Sequence, residues 1–254
     1  MIEDRNAAKP IVIAGHSHSV CFGLPHAKQE GVRLVELRQD PLIFGVEAPW
    51  PRPTDFTEQV CALAKGKKLL LSYSGWSKLL FAPDPLFDFV SSHFPSLPLD
   101  PEARLLPESL VLNHDDLRLY PRWINNAFRL FQRGGIDDML ILCMPPPKGD
   151  NDILRTRLRR EPLLVQRAGD AGLDIDAAKI MPPFIRLKLW GLIHQITKQE
   201  AAAVGAAYVG VPPECQDGYG FLKEEYWASD VTHANRKFGG AYLSHILKSL
   251  QMVQ

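Results

Sequence analysis

The chain has 254 residues, 46% of them hydrophobic, which is enough for one α/β domain with a sizeable core. Lysine plus arginine and aspartate plus glutamate both number 29, so the formal net charge is zero and nothing in the global balance points to nucleic acid or an anionic membrane. The apolar run after the polar N-terminus is too short for a signal peptide and no segment approaches the length of a membrane span, so the expectation is a soluble, cytoplasmic protein with no nucleic-acid partner and no membrane span.

The first predicted element is Ile11-Val12-Ile13-Ala14, three β-branched residues in four between Pro10 and Gly15, read as a short buried strand. Gly15 lets the backbone turn sharply, and a dense polar cluster follows, His16-Ser17-His18-Ser19. Ligands gather at the carboxyl ends of strands in open α/β sheets, so Ser17 sits where a nucleophile would be placed. The plainer alternative is that Ser17 or Ser19 caps the next helix. Residues 32–37 read as a second strand. Residues 40–56, rich in proline and carrying Gly45 and Trp50, read as a long loop. A helix is predicted over 56–64 and a third strand over 69–73, followed by the small-residue turn Ser74-Gly75-Trp76-Ser77.

Residues 81–107 hold six prolines and read as an irregular excursion with one short helix. Residues 119–133 fit an amphipathic helix ended by Gly134-Gly135. Residues 139–143 form a nearly all-apolar fourth strand, as befits a strand covered on both faces; Pro145-Pro146-Pro147-Lys148 leaves it. Basic residues in 155–160 read as a solvated helix face. A helix over 187–203, a fifth strand over 207–211 and a closing helix over 234–250 complete the chain. Strands alternating with helices predict a single domain over 1–254, a three-layer α/β/α sandwich with a five-stranded, mostly parallel sheet and strand 1 inside it. Cys21, Cys61, Cys143 and Cys215 show no paired spacing and read as buried thiols. Trp190 reads as core, and His26, His93, His114, His194 and His245 have no partner pattern.

The second polar cluster, Asp230-Val231-Thr232-His233-Ala234-Asn235, lies just before the last helix. An aspartate three residues ahead of a histidine can orient the imidazole, and a serine hydrolase needs such a set: a hydroxyl, a base, and a carboxylate that fixes the base's tautomer. The plainer alternative makes Asp230 a helix cap and His233 an ordinary first-turn residue.

With Gly15-His16-Ser17 after strand 1 and Asp230-x-x-His233 before the last helix, the chain resembles the SGNH (GDSL-type) hydrolase superfamily. More narrowly, it resembles a bacterial group with a Gly-His-Ser-His nucleophile turn, whose signatures are similar to the segments from Pro145 to Asn151 and from Arg186 to Trp190. The resemblance implies a flavodoxin-like sheet, no cofactor, and ester hydrolysis or acyl transfer on a small acyl or acetylated-carbohydrate ester. It implies Ser17 as nucleophile, His233 as base and Asp230 as its orienter. Two departures stand out. His16 replaces the usual aspartate, and the oxyanion-binding asparagine after strand 3 is missing, Trp76 or Ser77 standing in its place. The N–H groups of Ser17 and Gly75 and the Ser77 hydroxyl can serve instead, with Gly45 matching the superfamily's separate oxyanion glycine. His16, His18, Trp76 and Pro146 are candidate substrate contacts. Lys148 is either a contact for an anionic group or a solvated lysine.

Two rival readings stay open. A metal-dependent hydrolase could use His16, His18, Asp230 and His233, since Gly-His-Ser-His resembles the Gly-His-x-His of metallophosphoesterases; the Asp-x-His and Gly-Asn-His motifs that precede it there are absent here. A non-catalytic carbohydrate binder on the same fold could use Trp76 as a stacking platform.

Overall fold

The computed structural model describes residues 9–15, 17–24, 31–39, 42–48, 53–72, 77–113, 115–161, 164–166, 169 and 174–251. Strand β1, Ile11–Gly15, is buried along its whole length. Successive side chains of a strand point to opposite faces, so complete burial means that both faces of the sheet are covered there. The same holds for Met139–Leu142 (β7) and nearly so for Lys68–Ser72 (β4). The central sheet has six strands in the order β2-β3-β1-β4-β7-β8, with β2 at Arg33–Arg38, β3 at Ile43–Glu47 and β8 at Ala207–Val209. All neighbours pair in parallel except β2 and β3.

Counted along the chain, the five parallel strands β1, β3, β4, β7 and β8 take the order 2-1-3-4-5, the flavodoxin-like doubly wound order. Five parallel strands are therefore present, but not the five expected. The segment at 32–37 is the antiparallel edge strand, and the parallel strand next to β1 is β3, inside the stretch read as a loop. Gly45 faces Ile13 on one side and Val35 on the other. A Cβ there would lie 2.1 Å from the Leu24 side chain, so the glycine admits Leu24 to the core.

The helices follow from this order. Connections from β3 to β4, β4 to β7 and β7 to β8 all step the same way along the sheet. Right-handed crossovers then place their helices on one face: Phe56–Ala64 (α1), Tyr120–Arg133 (α4) and Pro183–Ala203 (α6). Accordingly α1 packs on α4 and α4 on α6. The closing helix Arg236–Gln251 (α7) packs instead on the 3-10 turn Ser17–Phe22 that follows β1. Residues 81–107 are largely irregular, as expected, but contribute a two-stranded parallel pair, Phe87–Asp88 (β5) with Arg104–Leu105 (β6). Two short helices, Glu108–Leu112 (α2) and Asp115–Arg118 (α3), lead into α4, and Asn151–Leu158 (α5) follows β7.

One buried contact pins the excursion to the core. The Lys188 ammonium on α6 lies 2.9 and 3.0 Å from the two Asp88 carboxylate oxygens and 2.9 Å from the Pro98 carbonyl. Asp88 also accepts from the Phe89 and Asp100 N–H groups. The pair is thus fully hydrogen-bonded, the condition under which buried charges are tolerated. All four cysteines are buried free thiols, and Trp190 is core, as expected.

Candidate active site

The doubly wound order reverses at the β1–β4 boundary, the place where a crevice opens at the strands' carboxyl ends. Here the two strands run so close that a Cβ on Gly15 would lie 2.1 Å from the Ser72 carbonyl oxygen. Glycine is the residue that permits this approach. The chain then enters the 3-10 turn with Ser17 at its head, half-buried, and His18 next. The Gly239 position of α7 meets this turn directly: a Cβ there would lie 2.0 Å from the Cys21 carbonyl oxygen. The helix therefore rests on the turn's backbone, and the loop just before it is carried to the end of β1.

That loop holds the Asp230–His233 pair. Asp230 Oδ2 lies 2.9 Å from His233 Nδ1, while Oδ1 accepts from the N–H groups of Thr232 (2.9 Å) and His233 (2.6 Å). An ionised carboxylate only accepts, so His233 Nδ1 carries the proton and Nε2 keeps its lone pair. Burial opposes ionisation of Asp230, but the hydrogen bonds from His233 and the positive charge of Lys148 prevail and hold the carboxyl well below the usual range. The His233 ring lies 5.0 Å from the His18 ring, centroid to centroid, which brings the pair to the turn that Ser17 opens. Asp230 is not the helix cap. Asn235 is: its Oδ1 accepts from the N–H groups of Lys237 (2.9 Å) and Phe238 (3.2 Å), and its Nδ2 donates to the carbonyls of Glu225 and Trp227. Such a cap contributes about 1 kcal/mol and frees Asp230 for His233.

The remaining expected residues fall in different places. Lys148 is neither solvated nor open to substrate. It is buried, and its ammonium donates to the carbonyls of Ala228 (3.0 Å) and Asp230 and lies 3.8 Å from Asp230 Oδ1. Arg157 of α5, read as part of a solvated face, is half-buried and donates to the same two carbonyls. Both cations lie over the Trp227 ring, Lys148 at 5.9 Å and Arg157 at 5.5 Å. Pro146, just before Lys148 in sequence, is buried. Gly45 is a mid-strand residue level with Ile13, two residues short of the end of β1, and not a loop glycine at the crevice. His16, Gly75 and Trp76 lie outside the described residues, as does the side chain of Ser77, whose backbone opens the turn Ser77–Leu80.

For a metal, the His233 Nδ1 and Asp230 Oδ2 atoms are already engaged with each other. Among the described residues no group of three or more His, Cys, Asp or Glu side chains could hold a metal ion. Among them too, no helix is long and apolar enough to cross a membrane. Sequence reasoning missed Arg157, Trp227 and Arg186 as parts of this site. For Arg186 the available signal was the pair of segments quoted for the resemblance, which meet in space; Arg157 and Trp227 lie outside both. Arg186 donates to the Lys148 carbonyl (2.7 Å), the Met181 carbonyl (2.7 Å) and Asn151 Oδ1 (2.9 Å), and Trp190 Nε1 donates to the Met144 carbonyl.

The sheet order and the polar turn after β1 are those that the SGNH resemblance implies. No protein-family model matches the chain, and no curated protein matches it by sequence. Several solved structures are similar in fold. One, from Bacteroides fragilis, is assigned as an acylhydrolase: 10% identity, 98% of this chain and 92% of that one, TM-score 0.46. Another, from Streptococcus, is assigned as a platelet activating factor: 12% identity, 98% and 86%, TM-score 0.45. A third is a mutant of an acetyl-xylooligosaccharide esterase from Geobacillus: 11% identity, 95% and 94%, TM-score 0.45. Likeness of this order carries nothing about chemistry.

Proposed function

We propose that the chain is a serine-dependent ester hydrolase acting on a small acyl or acetylated-carbohydrate ester. The observation that carries this reading is the 2.9 Å contact of Asp230 Oδ2 with His233 Nδ1, in a loop whose imidazole lies beside the turn headed by Ser17. In this reading Ser17 Oγ attacks the ester carbonyl carbon while His233 Nε2 takes its proton. The tetrahedral oxyanion collapses, the alcohol leaves with the proton returned by His233, and water repeats the sequence on the acyl-enzyme. Asp230 holds the tautomer and stabilises the imidazolium without taking the proton itself. For the oxyanion, the SGNH resemblance offers the N–H groups of Ser17 and Gly75 and the Ser77 hydroxyl. Lacking the amide donor, turnover is slow, since one such donor contributes on the order of 100- to 1000-fold.

The test is steady-state hydrolysis of p-nitrophenyl acetate by the parent and Ser17→Ala, together with mass mapping of a serine-directed covalent probe. Loss of turnover and of Ser17 labelling in the variant is expected. Equal rates would remove Ser17 as nucleophile and leave the carbohydrate-binding reading in front.

A further inference from the structure

The loop that carries Asp230 and His233 is gripped from beneath by two cations. Ala228 and Asp230 each turn a carbonyl toward α5, and each receives N–H donors from both Lys148 and Arg157. The loop closes over them as a hairpin, with Ala228 N–H donating to the His233 carbonyl (3.1 Å) and Trp227 bridging Ala234. Lys148 is itself set by Arg186, which holds its backbone carbonyl. A line of contacts thus runs from α6 through Lys148 to the Asp230 main chain and carboxylate, and on to His233 Nδ1.

We propose that Lys148 and Arg157 are positioning residues, a two-cation clamp on the Ala228 and Asp230 carbonyls that sets the Asp230–His233 pair against the Ser17 turn. The effect on rate rests on the hydrolase reading; the effect on the loop does not. A buried ammonium near Asp230 has two consequences. It fixes the peptide planes that aim the carboxylate, through charge-assisted hydrogen bonds about twice as strong as neutral ones. It also offsets part of the Asp230 charge that His233 faces. The charged and titratable groups around it are Asp230 and His233 on the loop, Arg157 on α5 with Glu161 just beyond it, and His18 on the turn. Burial, acting against the attraction of Asp230, pushes the Lys148 ammonium down to about 8, so it still carries its charge at neutral pH.

The experiment compares the parent, Lys148→Met, Lys148→Arg and Arg157→Gln. It reads the kinetics of p-nitrophenyl acetate hydrolysis across pH and the downfield proton NMR resonance of the His233 Nδ1–H that faces a carboxylate. In Lys148→Met, kcat falls on the order of 10- to 100-fold, about what a hydrogen bond from a charged group contributes, while KM stays within about twofold. The acidic limb of kcat/KM moves to higher pH, because the pair has lost a neighbouring positive charge, and the downfield resonance broadens. Lys148→Arg, which keeps the charge, returns the limb toward the parent position. A folded Lys148→Met with the parental kcat, limb and resonance overturns the proposal, as does a change in KM alone. If Lys148→Met does not fold, half-buried Arg157→Gln decides, with a several-fold loss of kcat and a broadened resonance in favour and an unchanged resonance and rate against. If the parent shows no Ser17-dependent hydrolysis, the hydrolase reading falls while the resonance still judges the clamp.

Discussion

Two imidazoles in this molecule make the same contact with opposite results. His233 Nδ1 lies 2.9 Å from Asp230 Oδ2, and His194 Nδ1 on α6 lies 3.1 Å from Cys143 Sγ just past β7. The second pair is enclosed by rings, with Trp190 at 5.4 Å, Tyr208 at 5.1 Å and His93 at 5.3 Å from His194. Burial, aided by His93 and Lys198, pushes the His194 imidazole down to about 4, and burial pushes the Cys143 thiol up to about 12. Both partners stay in their neutral forms near pH 7. At His233 the partner is a carboxylate held ionised by hydrogen bonds and by Lys148. A ring nitrogen at hydrogen-bonding distance is not enough for the base proposed at His233; the partner must also keep its charge, as Asp230 does and Cys143 does not.

The sharpest break in this comparison comes from removing the groups proposed to react. Ser17→Ala and His233→Ala each cost on the order of 10⁴-fold or more in kcat, and the double variant costs about as much as either, because the two act as a unit. A burst-free steady-state assay of all three checks this. Next comes Asp230→Asn, which keeps the shape but loses the charge and allows the wrong tautomer; a loss on the order of 10³- to 10⁴-fold is expected. In contrast, His194→Gln and Cys143→Ala leave kcat/KM within about twofold. Each lowers stability by about 1–3 kcal/mol by leaving a buried polar partner or a small void, as measured by denaturant unfolding.

The smallest effects are in the pH dependence of stability, where the two pairs separate by window. His194 is pushed below its ordinary 6.5 to about 4 in the folded chain. The unfolded chain therefore binds the proton first, and stability is lost as pH falls from about 6.5 toward 4. Asp230 has a folded value held below the ordinary 3.8. Its contribution is present above that value and is lost as pH falls further. Thermal unfolding across pH checks both signs. His194→Gln flattens the decline between about pH 6.5 and 4, and Asp230→Asn flattens only the decline below about pH 4.

The elements legible in the sequence were those with unbroken patterns. The sequence places helix α1 at 56–64, where the structure has it, and β1, β4 and β7 within a residue or two. Strand β3 was not legible. Ile43-Phe44-Gly45-Val46-Glu47 stands among prolines 41, 49, 51 and 53 with a glycine at its centre, and every local signal reads as loop. Pairing on both sides with β1 and β2, and the Leu24 side chain that fills the glycine's place, make it a strand. In the site, Asp230-x-x-His233 was legible because both partners of that hydrogen bond lie within one turn of chain.

By itself, the sequence determined the periodic helices, the apolar strands, the polar turn after β1 and the spacing of an aspartate and a histidine that can bond each other. These depend on neighbours a few residues apart, and the chain writes such neighbours down in order. Only the tertiary structure decided that Gly45 is mid-strand, that Asn235 and not Asp230 caps the last helix, and that Lys148 is buried. The carbonyls that stabilise the Lys148 charge lie 80 and 82 residues further along the chain. A lysine after three prolines reads as exposed until that distant loop folds over it, because the free energy of burying a charge depends on partners that local sequence does not contain.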